Sequence, residues 1–141
     1  RLGATLKAGD LICLQGDLGA GKTTLVQGIA QGWGALDAVT SPTFVLVNQY
    51  RRADGAQLFH MDAYRIESST EGEQLDINSM LSEGALIIEW PERIENILPA
   101  ERLWIQLEHV SDEHRQLRAE SNGARYDTLV TDLRDAIFGV Q

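Results

Sequence analysis

Cysteine is almost missing from these 141 residues: there is one, Cys13, inside the apolar run Leu11-Ile12-Cys13-Leu14. A lone cysteine can close no internal disulfide and supply no multi-cysteine metal site, and a free cysteine in an apolar run reads as core. Long apolar runs are missing too. No stretch approaches the roughly 20 residues of a membrane-spanning helix, and no charged-then-apolar leader opens the chain. A cytoplasmic protein with no membrane contact is expected. Basic residues are scarce, 12 Lys and Arg against 21 Asp and Glu, for a net charge of −9. That balance argues against the broad basic face with which a protein neutralises nucleic-acid phosphates unaided. A role in nucleic-acid chemistry would need another subunit to hold the nucleic acid.

What is present reads as one domain over residues 1–141, since a chain of this size buries about two thirds of its unfolded surface and builds one core. Leu11 to Gln15 is a short apolar strand. A glycine loop follows, and from Thr23 the apolar residues Leu25, Val26, Ile29, Ala30 and Trp33 fall at helical spacing, with Gly34 as the stop. The run Phe44 to Tyr50 reads as a strand, Asp54-Gly55 as a hairpin turn, and Gln57 to Asp62 as the return strand. In such a hairpin Thr43 and Asp62 would be neighbours. The polar stretch Ser68 to Gly84 is expected to be partly helical, with a capping box at Thr70 to Glu73 and Leu75, Met80 and Leu81 facing inward. Ala85 to Trp90 reads as a buried strand whose tip carries Glu89, halted by Pro91. Leu103, Ile105 and Leu107 alternate with polar residues and pair with a second strand over about Arg115 to Ser121. Tyr126, Leu129, Val130, Leu133 and Ile137 stripe a final helix.

Gly16-x-x-x-x-Gly21-Lys22-Thr23 fits the phosphate-loop pattern G-x-x-x-x-G-K-[ST] at every fixed position. Glycines let successive backbone N–H groups turn inward as an anion cradle, and the helix that follows adds its positive end. Gly16, Asp17, Leu18, Gly19, Ala20 and Gly21 would wrap the phosphates. Lys22 would reach the β- and γ-phosphates, the Thr23 hydroxyl would ligate Mg²⁺, and Thr24 would contact the α-phosphate. Lysine occurs only at positions 7 and 22, so the guanine-reading Asn/Thr-Lys-x-Asp pattern is impossible anywhere, and there is no Asp-x-x-Gly switch. ATP is expected rather than GTP.

Phosphate-loop enzymes also need a carboxylate at the end of a neighbouring strand to hold Mg²⁺ and help orient the attacking water. Glu89 and Asp62 both qualify. Glu89, ending the more apolar run, takes the metal role, and Asp62 a water-orienting or Mg²⁺-linked one; each could also be a plain solvated strand-end carboxylate. Thr43 reads equally as a γ-phosphate-sensing switch hydroxyl and as part of an ordinary Ser-Pro-Thr turn. Trp90 reads as a pocket wall, His60 as packing on the hairpin rather than binding metal, and Tyr64 and Arg65 as a surface turn.

The run Gly16 to Thr24, then Ser41-Pro-Thr-Phe44, His60-Met-Asp-Ala-Tyr-Arg65, and Ile88-Glu-Trp-Pro91 followed by Leu98-Pro99, closely resembles the TsaE (YjeE) family in order and spacing. The resemblance spans roughly Leu11 to Pro99 and is weaker beyond. It implies a P-loop NTPase-like three-layer α/β sandwich with a mixed, largely parallel central sheet and antiparallel hairpins. It further implies an ATPase, needing ATP and Mg²⁺, that serves formation of threonylcarbamoyladenosine at position 37 of tRNA with the partner proteins TsaB and TsaD, and meets tRNA only through them. Carried over by motif, Lys22 and Thr23 bind ATP and Mg²⁺, Glu89 binds Mg²⁺, Asp62 assists hydrolysis and Thr43 belongs to a switch. Relatives carry a further segment ahead of the first strand, with contacts toward the adenine, which this chain is expected to lack.

Two other classes compete. A small-molecule kinase on the same core would want an acceptor pocket and an arginine-rich lid, and residues 66–84 contain no arginine. A nucleotide-dependent binding module would hold ATP and a partner without hydrolysis. No arginine stands at an obvious finger position, which fits a slow ATPase that depends on partners.

Overall fold

A computed structural model describes residues 2–16, 22–36, 47–64, 66, 76–111 and 114–138. A short helix α1 (Leu2–Thr5) precedes β1 (Leu11–Gln15) and α2 (Lys22–Trp33). The hairpin β2 (Val47–Arg51) and β3 (Gln57–Asp62) leads to α3 (Ile77–Glu83) and β4 (Gly84–Glu89). Two 3-10 turns, Pro91–Arg93 and Glu95–Ile97, connect to β5 (Arg102–Ser111), β6 (His114–Asn122) and α4 (Ala124–Phe138).

The six strands form one sheet in the order β2-β3-β4-β1-β5-β6. The inner pairs β3–β4, β4–β1 and β1–β5 are parallel, and the outer pairs β2–β3 and β5–β6 are antiparallel hairpins. β1 and β4 are the most continuously apolar segments because they lie in the middle of the sheet with both faces covered. Leu11, Ile12, Cys13 and Leu14 are fully buried. Burial pushes the Cys13 thiol up to about 12, so it is an inert core group.

Period-two alternation sorts the strand residues onto two cores. Ile12, Leu14, Leu58, Ala85, Ile87, Leu103 and Ile105 pack against Val26, Ile29, Ala30 and Trp33 of α2 and Tyr126 and Leu129 of α4. Leu11, Cys13, Phe59, Met61, Leu86 and Ile88 face the other way, toward Ile77 of α3 and toward Ile94 and Leu98 around the 3-10 turns. The result is a three-layer sandwich. α2 ends as its sequence indicates: Gly34 has φ +100, its N–H donates to the Ala30 carbonyl, and the Ala35 N–H reaches the same oxygen. At the far edge the Tyr126 hydroxyl accepts from the Leu11 N–H at 2.9 Å, and Arg125 binds both carboxylate oxygens of the buried Asp10, tying α4 to the start of β1.

The hairpin turn and the strand over Gln57–Asp62 stand where the sequence puts them. Three elements differ. α1 has four residues and no readable apolar period. In the polar stretch the described helix begins only at Ile77, where Asp76, left-handed at φ 51, accepts the Ser79 N–H. Met80 and Leu81 are partly buried as expected, but the fully inward residue is Ile77; the capping box Thr70 to Glu73, and Leu75, lie outside the described residues. Trp90 is not part of β4. It is left-handed at φ 59 and opens the 3-10 turn at Pro91.

Candidate functional site

Because β1, β3 and β4 run parallel, their C-terminal ends share one edge of the sheet, and α2 starts there, on the side that Leu14, Ile87 and Leu58 face. Gly16 follows the last residue of β1, and Lys22 opens α2. Lys22 is almost buried. Its ammonium donates to the Gly16 carbonyl oxygen at 2.5 Å and stands 3.8 Å from the centroid of the Trp90 ring. An ammonium over an indole face is held by the ring quadrupole. Thr23 and Thr24 fall in the first turn of α2.

The register of β3 against β4 places Asp62 directly beside Glu89. Both belong to the face that carries α2, since each is an even step from Leu58 or Ile87. Glu89 is nearly buried, whereas Asp62 is half-buried and accepts the Tyr64 N–H at 2.9 Å in an Asx turn. Burial raises the Asp62 carboxyl above the ordinary aspartate value; the Tyr64 N–H opposes this, the Glu89 charge reinforces it, and His60 and Lys22 oppose it more weakly. Two carboxylates and one lysine therefore meet at a single edge.

Trp90 bridges outward from this edge. Its backbone N–H donates to the Leu14 carbonyl, and its ring packs on Tyr64 with centroids 4.9 Å apart. The Arg93 guanidinium lies 5.6 Å from the Tyr64 ring. Trp90 is thus a wall of the edge, and Tyr64 is the exposed turn residue expected. Asp17 to Gly21, Thr43 and Arg65 lie outside the described residues, so the closeness of Thr43 to Asp62 does too. β2 does begin at this edge, as Val47 pairs with Met61.

His60 does more than pack on the hairpin. It is fully buried, and its Nε2 donates to Glu89 Oε2 at 2.6 Å. A signal was available in the sequence: His60 stands two residues before Asp62, so both point to the same face of β3.

Sheet order, helix placement and strand-end chemistry together define a P-loop NTPase-like three-layer α/β sandwich. The family model "Threonylcarbamoyl adenosine biosynthesis protein TsaE" matches residues 1–117. The chain belongs to the TsaE family. It is similar to a tRNA threonylcarbamoyladenosine biosynthesis protein TsaE from Bacillus subtilis (strain 168), 41% identical over 131 residues, covering 92% of this chain and 81% of that one. A protein of the same name from Streptomyces coelicolor is 40% identical over 134 residues, covering 91% and 90%. Among solved structures, the crystal structure of Bacillus subtilis YdiB superposes with a TM-score of 0.77 at 35% identity, over 96% of this chain and 83% of that chain.

Proposed function

We propose that this chain binds ATP with Mg²⁺ and hydrolyses it in the threonylcarbamoyladenosine modification of tRNA position 37, together with TsaB and TsaD. The pairing of Glu89 with Asp62 at the edge where Lys22 opens α2 carries this reading. Gly16 to Gly21 supply the backbone N–H groups for the phosphates, Lys22 supplies the cation, and Thr24 meets the α-phosphate. Carboxylate and hydroxyl oxygens are the hard donors Mg²⁺ takes, and one nearly buried carboxylate beside a phosphate loop suits it, because Mg²⁺ usually keeps substrate phosphates and water as its other ligands. Thr23 and Glu89 would hold it. Bound there, Mg²⁺ would supply positive charge against that developing on the phosphate oxygens.

Asp62 orients the attacking water and accepts its proton, a task that its raised carboxyl favours. Thr43 senses the γ-phosphate. The net charge of −9 supports a tRNA contact made through the partners rather than by this chain.

Phosphate release from the purified chain tests this. Alone it is expected to turn over slowly, at about 10⁻⁴ to 10⁻² s⁻¹, and faster when TsaB and TsaD are added. A rate that the two proteins leave unchanged would contradict their role, and ATP consumption that depends on a small acceptor would indicate a kinase instead.

A further inference from the structure

We propose that His60 is the positioning residue of the metal-binding carboxylate: it fixes one oxygen of Glu89 so that the other is presented to the cation. The inference rests on the Mg²⁺ role of Glu89 given above. His60 pairs with Ile87 across the β3–β4 ladder, so Glu89 is the next residue on the same face of β4. The imidazole is fully buried at a strand position where alternation alone would put an aliphatic side chain. A buried polar ring costs free energy unless its nitrogens are bonded, and both are engaged. Nε2 meets Glu89 Oε2 at 2.6 Å, and Nδ1 lies 3.4 Å from the Tyr50 hydroxyl.

A carboxylate oxygen only accepts, so Nε2 carries a proton and donates it to Glu89, while Nδ1 faces the Tyr50 hydroxyl. Tyr50 is itself buried, and its ring lies at 30° to the imidazole. The line Tyr50, His60, Glu89 thus crosses three neighbouring strands, β2, β3 and β4, and ends at the site edge. Glutamate has three rotatable side-chain bonds, and a partner that occupies one oxygen removes the freedom that would otherwise be lost on metal binding. A histidine kept only to fill space would not need to meet a carboxylate at this distance.

Mn²⁺ binding in the presence of ADP, followed by electron paramagnetic resonance on the full chain, tests this without hydrolysis. In Gln the side-chain amide nitrogen stands about where Nε2 does, and in Asn about where Nδ1 does. His60→Gln is therefore expected to retain Mn²⁺ affinity within about threefold, and His60→Asn to lose about 10- to 100-fold, the usual effect of removing a ligand's orienting partner. Metal-free ADP affinity should be the same in both. An Asn variant that binds Mn²⁺ like the unaltered protein, or a Gln variant weakened as much as the Asn one, overturns the inference. If the Asn variant does not fold, a Gln variant as weak as Glu89→Gln overturns it, and one that keeps its affinity supports it. Glu89→Gln also separates the two layers: if it too binds Mn²⁺ normally, the metal role of Glu89 fails and the positioning role with it.

Discussion

Glu89→Gln keeps the shape of a nearly buried side chain and removes its charge. For stability the structure gives two opposed effects. The bond with His60 changes from charge-assisted to neutral, which costs about 1 kcal/mol. Against this, a carboxylate no longer has to be held away from water. The net change is expected to stay under about 1 kcal/mol, a melting shift of no more than about 3–5 °C for a chain of this size. Hydrolysis has no such compensation. If the Glu89 charge holds the metal that neutralises the phosphates, its removal should cost about 10² to 10³ in rate, the usual effect of deleting one preorganised electrostatic group. Single-turnover phosphate release at saturating Mg·ATP, measured beside a thermal melt, reads both quantities. A folded Glu89→Gln protein that hydrolyses ATP within about threefold, or 0.7 kcal/mol, of the unaltered rate would refute the assignment.

Asp62→Asn should abolish hydrolysis and raise the melting temperature at neutral pH. The folded state holds the Asp62 carboxyl above its unfolded value, mainly by burial, so the ionised form is the disfavoured one; the difference between the proteins should shrink as pH falls through that raised value, and a variant that melts lower at pH 7 would contradict this. Tyr126→Phe leaves the buried Leu11 N–H without its hydroxyl partner and should cost about 1–3 kcal/mol in urea unfolding, with nucleotide affinity unchanged; a neutral result would deny that the hydroxyl anchors β1. Gly84→Ala would put a Cβ 2.3 Å from the Gln57 backbone oxygen on the neighbouring strand, so a loss of about 2–3 kcal/mol or more is expected, and an unchanged unfolding midpoint would show that β3 and β4 can part without cost.

Local chemistry was the legible part of this sequence. β1, α2 with its Gly34 stop, the Asp54-Gly55 turn and the strand over Gln57–Asp62 follow from periodicity and glycine placement, and the strand-end positions of Asp62 and Glu89 follow with them. The sheet order was not legible, because the insertion of β1 between β4 and β5 depends on pairing between segments some 70 to 90 residues apart. Trp90 could not be foreseen as left-handed, since a bulky side chain at positive φ is set by its surroundings, here the Leu14 carbonyl, the Tyr64 ring and the Lys22 ammonium. Packing of His60 on the hairpin was legible, but its bond to Glu89 was not. Its true partner is a carboxylate on the adjacent strand, which only the register reveals.

The phosphate-loop motif is where the functional reading stands or falls, and Lys22 is its lysine. Isothermal titration of the purified chain with Mg·ATP, repeated on Lys22→Ala, tests it most directly. The unaltered protein should bind, and loss of the lysine should weaken binding at least about tenfold, or 1.4 kcal/mol, with the fold retained. No binding by the unaltered chain, or equal binding by the two, would contradict it.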